Sequence, residues 1–188
     1  MKRKVIFPLL ILVISVLLSS CASPVTYTVD KEHEEKMEII HDMISGLVEN
    51  DSELYLSAFE PSYLKNVKEV VDTLGTQYFE AESYDDLIKT FFAQYSMGLE
   101  ANYGKNIKVA LSFNSVKEAS KDSLGTFIDD YSVAYRLPID KIKSVSKVSV
   151  RLDITGSKYS GNNDCNFNLL EMSDGKWYIH PESFLYSF

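Results

Sequence analysis

Gly104-Lys105-Asn106-Ile107-Lys108-Val109-Ala110-Leu111-Ser112-Phe113-Asn114 is the stretch on which the reading of the fold turns. Within it, Ile107, Val109, Leu111 and Phe113 alternate with Lys108, Ala110, Ser112 and Asn114. Successive side chains of a strand point to opposite faces, so this alternation marks a strand with one face buried and one in water. Gly104 stands where the preceding element must end, and glycine readily takes the left-handed conformation that closes many helices. The chain changes period here, from 3.6 residues to 2.

Upstream, the period is helical. From Lys31 to Asn50 the apolar residues Met37, Ile40, Ile44, Leu47 and Val48 fall on one face. Asp51 or Ser52 can cap a short second helix running through Phe59, because a side-chain oxygen there accepts from free backbone N–H groups. Pro61 suits the first position of a third helix, expected to bury Leu64, Val67, Val71 and Leu74 and to stop at Gly75. Ser83-Tyr84-Asp85-Asp86 resembles a capping box for a fourth, with Leu87, Ile88, Phe91, Tyr95 and Leu99 on one face and an end near Asn102.

Downstream of the switch, one more helix is expected from Asp122 to Arg136, with Leu124, Phe127, Ile128, Tyr131 and Tyr135 in register and Pro138 beyond its end. A long strand follows from Val145 to Thr155, then a polar loop from Gly156 to Asp164 and a strand around Cys165. Asp174-Gly175 is a two-residue hairpin signal leading into Trp177-Tyr178-Ile179. Helices followed by an antiparallel sheet with one apolar face define an α+β domain, with N-terminal helices packed on a curved antiparallel sheet of about four strands. That order, and above all the hairpin Leu169-Leu170-Glu171-Met172-Ser173-Asp174-Gly175-Lys176-Trp177-Tyr178-Ile179, resembles the cystatin-like and nuclear-transport-factor-like α+β superfamily, in particular its uncharacterised small lipoproteins from Gram-positive bacteria. The resemblance implies a fold and no particular activity, because this architecture hosts isomerases, dehydratases and binding modules alike.

The N-terminus specifies a location. Lys2, Arg3 and Lys4 precede an apolar run from Val5 to Leu18 that is too short to cross roughly 30 Å of hydrocarbon and ends in small residues. Leu18-Ser19-Ser20-Cys21 resembles the lipobox of bacterial lipoproteins. The resemblance implies that Cys21 is the lipidation site, diacylated through its sulfur with chains such as palmitate, and that cleavage makes it the first residue of the mature chain. More than one acyl chain gives a stable anchor. The expected organisation is a signal peptide over residues 1–20, a lipidated tether over 21–30 and a single α+β domain over 31–188. The expected location is the cell membrane, lipid-anchored on its extracytoplasmic face.

Without residues 1–20 the chain keeps 16 basic and all 27 acidic residues, a net charge of −11. That charge repels nucleic acid and anionic headgroups. With Cys21 acylated, Cys165 has no partner for an intramolecular disulfide, and its place on the alternating apolar face reads as a small buried hydrophobe.

Catalytic chemistry finds little purchase. His33 lies in the charged run at the start of the first helix, His41 at the edge of that helix's buried face, and His180 on the expected polar side with Lys176 and Tyr178. No His pair sits at i, i+4 spacing and no Cys pair accompanies them, so no zinc site is expected; there is no oxygen-ligand loop of the calcium type either, and no metal or cofactor is assigned. Gly98 to Asn106 approaches a phosphate loop but has five residues between its glycines and no Ser or Thr after Lys105. The inward strand positions hold no carboxylate, unlike the ketosteroid isomerases that this fold resembles. Twelve tyrosines, among them Tyr95, Tyr131 and Tyr135, and a polar sheet face of Arg151, Asp153, Asn166, Asn168 and Tyr178 are the candidate binding surfaces. The expectation is a membrane-anchored, non-catalytic module that binds a protein, a peptide or an envelope component. The alternatives are a small pocket isomerase, dehydratase or hydrolase, and an immunity lipoprotein that neutralises a basic toxin.

Overall fold

The computed structural model describes residues 23–77, 81–119, 139–181 and 183. The expected signal peptide, Cys21 and the expected helix from Asp122 to Arg136 lie outside the described residues. Five strands form one sheet in the order β1 (Val25–Thr28), β2 (Lys108–Glu118), β3 (Ile142–Thr155), β4 (Ser160–Met172), β5 (Trp177–Ile179). Three pairings are antiparallel; β1 runs parallel to β2, with Val25 opposite Val109. The result is an α+β domain with helices packed against a curled half-barrel sheet.

The sheet has five strands and is mixed, where about four antiparallel strands were expected. The added strand comes from residues expected to be tether. Val25 and Tyr27 alternate with Thr26 and Thr28, and four β-branched or aromatic residues suit a pleated edge. Val25 is fully buried against the core, and the Val109 N–H donates to the Pro24 carbonyl at 2.8 Å. The ordered domain therefore begins at least six residues earlier than its sequence suggests.

Helix α1 (Glu34–Glu49) lies in the concavity of the sheet. Its residues Met37, Ile40, Met43, Ile44 and Leu47 are buried against Leu111, Val148, Val150, Phe167 and Leu169. Asn50 ends it in the left-handed conformation. Asp51 then caps α2 (Ser52–Ser57) by accepting from the N–H groups of Glu53 and Leu54, both at 3.0 Å. Helix α3 (Pro61–Leu74) starts at Pro61 and stops at Gly75 as expected, but of its four apolar positions only Val71 is fully buried and Leu74 is exposed. Helix α4 (Tyr84–Tyr103) is capped by Ser83, whose Oγ accepts from the Asp86 N–H at 3.2 Å.

Two connections depart from expectation. Residues 160–164, expected as loop, are strand: Ser160 to Asp164 pair with Arg151 to Thr155, and the connection shrinks to Gly156–Tyr159. Residues 160 and 162–164 are exposed, so nothing requires this end of β4 to be apolar. The β4–β5 turn holds three residues and not two, with Met172 N–H donating to Lys176 O and Gly175 at φ +86°.

The far end of the sheet is covered on its outer face as well. Val145, Leu170 and Met172 form a second small core with Tyr63, Ile142 and Tyr178 packed on it. His180 lies beside Tyr178 on this face, as expected, but is fully buried and not solvated. Of the expected polar face, Arg151, Asp153 and Asn166 remain at the surface, Arg151 paired with Asp153 at 3.2 Å. Asn168 is half-buried, its N–H donating to Ser183 Oγ at 2.6 Å.

Gly46 is the point where α1 and α2 touch. A Cβ there would strike the Tyr55 backbone nitrogen, Tyr55 Cα at 2.7 Å and the Asp51 carbonyl at 2.8 Å. Backbone cannot give way as a side chain can, so Gly46→Ala is expected to lose about 2–3 kcal/mol of stability through overpacking. Urea unfolding measures it; an unchanged midpoint would show that the α1–α2 corner is looser than this.

Candidate functional site

Helix α4 packs chiefly on α1 and α3. Its N-terminal half enters the core through Phe92, which meets Tyr55 edge to face at 5.5 Å. Its C-terminal end is fastened to the β3–β4 turn: Lys158 N–H donates to Tyr103 O at 2.8 Å, Ser157 N–H to Lys105 O at 2.9 Å, and Lys105 N–H to Ser157 Oγ at 2.8 Å. Two glycines make that contact possible. A Cβ on Gly156 would strike the Tyr103 carbonyl, and one on Gly104 would meet Lys158 N at 2.9 Å. Gly104 has φ +83° and ψ −152°, so it does not take the left-handed cap geometry expected of it but an extended mirror conformation that only glycine enters freely.

Between these two attachments α4 stands away from the sheet and leaves a cavity of about 530 Å³. The helix contributes Phe91, Tyr95, Gly98 and Leu99, with Gln94 and Asn102 at the rim. The sheet contributes Leu152, Ile154 and Cys165 as floor and Asn163 at the edge. Among the described residues, not one that lines the cavity carries a formal charge. The size falls within the roughly 300–1,000 Å³ of small-molecule sites, which are mostly apolar with a few placed polar groups.

Two titratable groups of this wall, Tyr95 and Cys165, are poorly suited to proton transfer. Burial pushes the Tyr95 phenol well above its usual range. Burial, with the Asp164 charge behind it, also raises the Cys165 thiol. A thiol becomes nucleophilic as thiolate, which a raised pKa suppresses. Cys165 occupies the buried, inward position expected of it and in addition forms part of the cavity floor.

One constellation elsewhere imitates a catalytic triad. His41 Nδ1 lies 3.2 Å from Asp42 Oδ1, and its Nε2 lies 3.3 Å from Ser45 Oγ. The same Nε2 is 3.2 Å from the Val25 carbonyl, which can only accept. That nitrogen therefore carries its proton and cannot take one from Ser45. Ser45 is also buried at 2% exposure, out of reach of any substrate. The group is a clip that holds β1 against α1. His33, expected in solvent, stacks on Phe113 with ring centroids 4.5 Å apart. Among the described residues, no three His, Cys, Asp or Glu side chains converge as metal ligands.

Sequence reasoning placed Phe91, Tyr95, Leu99 and Cys165 on inward faces, and the structure brings all four to the cavity wall. It missed Gln94, Gly98, Asn102 and Asn163. The signal was present in α4: the apolar face is interrupted at helical spacing by an amide, a glycine and another amide, which a tightly packed face does not need. Tyr131 and Tyr135 lie outside the described residues. The chain matches no known protein family, no curated protein and no solved structure.

Two measurements test this picture. Burial lowers His180 from its ordinary 6.5 to about 4. The unfolded chain binds the proton first, so His180 contributes fully above pH 6.5 and its contribution is lost as pH falls from there toward 4. Between pH 7 and pH 5 the wild type is expected to lose about 2 kcal/mol more than His180→Gln in urea titrations. Equal losses would mean that the imidazole reaches water. Second, a Cβ on Gly98 meets nothing within 4 Å, so Gly98→Ala is expected to gain about 0.5–1 kcal/mol by helix propensity alone. A loss would show that α4 closes on the sheet at this point.

Proposed function

We propose that this chain is an exported lipoprotein, anchored through Cys21 on the outer face of the cell membrane, whose domain binds a ligand or partner and does not transform it. The cystatin-like and nuclear-transport-factor-like grouping belongs to the same proposal and is supported by the order of helices followed by a curled sheet. The observation that carries the binding reading is the composition of the cavity: a half-enclosed space whose lining, among the described residues, is apolar groups, amides, phenols and a thiol without one charged side chain. Acid–base catalysis needs a group whose pKa lies near the working pH, and burial moves Tyr95 and Cys165 away from it.

The start of the domain supports close tethering. Only Ala22, Ser23 and Pro24 separate Cys21 from the first paired residue, Val25. Four steps of extended chain reach at most about 14 Å. Ser23 is itself held, its Oγ donating to Glu49 Oε1 at 2.9 Å. A domain anchored this way stays against the membrane and does not sample the space above it.

The anchor is tested by growing cells with a clickable palmitate analogue. The wild type is expected to take up label, to fractionate with membranes and to begin at Cys21 by mass; Cys21→Ser is expected to lose the label altogether. Label of equal strength in both proteins, or a mature chain that starts elsewhere, would overturn the assignment.

A further inference from the structure

We infer that the cavity between α4 and the sheet takes the acyl chain of a neutral, hydroxyl-headed lipid drawn from the membrane to which the chain is anchored. The inference rests on the anchored binding reading above and names its ligand.

Strand register puts the cavity and the anchor at one end of the molecule. Val25 pairs with Val109, Val109 with Ile154, and Ile154 is cavity floor. Neighbouring strands lie about 4.8 Å apart, so the start of β1 is about 10 Å across the sheet from the cavity. A shallow groove of about 390 Å³ lies on the intervening surface, lined by Pro24, Val48, Leu99 and Ile107 and by the charged Glu100 and Lys105. Leu99 lines both the groove and the cavity. Tyr159, one of three large hydrophobic residues that the described surface leaves exposed, stands at the same end with its ring 5.9 Å from that of the cavity residue Tyr103. A phenol with an apolar body and a polar tip suits the boundary between lipid and water.

The lining selects the ligand. Phe91, Leu99, Leu152 and Ile154 offer an acyl chain an apolar channel, and Gln94, Asn102 and Asn163 offer the rim of that channel hydrogen bonds to hydroxyl and ester oxygens. A carboxylate or phosphate head would find no cation to pair with among the described residues that line the cavity. Gly98 completes the case. It is in the middle of a helix, its φ is not positive, and no neighbour would meet its Cβ. Neither packing nor backbone geometry asks for glycine, and a side chain at this position would project into the cavity mouth.

The test uses the full-length protein purified with its lipid and placed in phosphatidylcholine nanodiscs that contain a trace of diazirine-labelled monoacylglycerol. After irradiation, label is expected on peptides containing residues 91–103 or 152–165, and an excess of monooleoylglycerol is expected to remove it. Gly98→Phe should cut the label at least tenfold while Gly98→Ala retains it. Gln94→Lys, altered at an exposed rim position, should keep the fold and shift competition toward the anion oleate at least threefold. Equal labelling of Gly98→Phe and wild type would overturn the inference, and so would oleate competing with the wild type as well as monooleoylglycerol does. Intact mass on the same sample reports the anchor separately. An acylated protein with an unlabelled cavity overturns the ligand and leaves the anchor standing; an unacylated mass overturns the anchor and the membrane source with it.

Discussion

The concave face of the sheet carries Leu111, Val148, Val150, Leu152, Phe167 and Leu169, side chains that cannot be left in water, and helix α1 is the element that keeps them dry. Its five buried apolar residues recur over three turns, so the helix has one orientation in the trough and cannot roll without exposing them. The rest of the helical layer is built outward from it. Gly46 lets α2 cross at backbone contact, α2 and the turn after it deliver Tyr55 and Phe59 to the core, and the Ile179 N–H at the far edge of the sheet donates to Ala58 O just beyond α2. The His41 clip then fastens β1 to the same helix from the other side.

How much of this was legible depends on whether a residue's neighbours are near in sequence. Caps and stops were readable because their chemistry is local: Asp51, Pro61, Ser83 and Gly75 each act within four residues of themselves. The change of period at residues 104–114 fixed the α+β class for the same reason. Strand β1 was not legible, because its partner lies on β2 and a four-residue run of Val-Thr-Tyr-Thr looks like any linker until that partner is known. Residues 160–164 were misread because polarity was taken for irregularity, when an exposed length of strand is free to be polar on both faces. His180 was put on the correct face but in the wrong solvent: that face carries a second core of Val145, Leu170 and Met172 with Tyr63, Ile142 and Tyr178 packed on it, a tertiary arrangement that no single strand announces.

The cavity is the part that sequence could least supply. A gap is produced by two attachments and by what is missing between them. The aromatic residues Phe91 and Phe92 seat one end of α4, three hydrogen bonds to the Gly156–Tyr159 turn seat the other, and Gly98 lies in between. Each of these was visible as a residue. Their joint effect, a helix held off the sheet by its own fastenings, depends on distances that periodicity does not encode. The close approach of Gly104 to the β3–β4 turn likewise belongs to two segments about 50 residues apart and to neither alone.

Strand β1 also sets a timetable. Its four backbone rungs are made to Val109–Ser112, residues synthesised some 80 positions later. A chain that emerges N-terminus first therefore holds its first strand in waiting through the synthesis of α1 to α4. Its ladder can form only when β2 arrives. For a nascent chain, the segment that starts the domain is among the last to be locked, and until then its open edge is available to any passing extended strand.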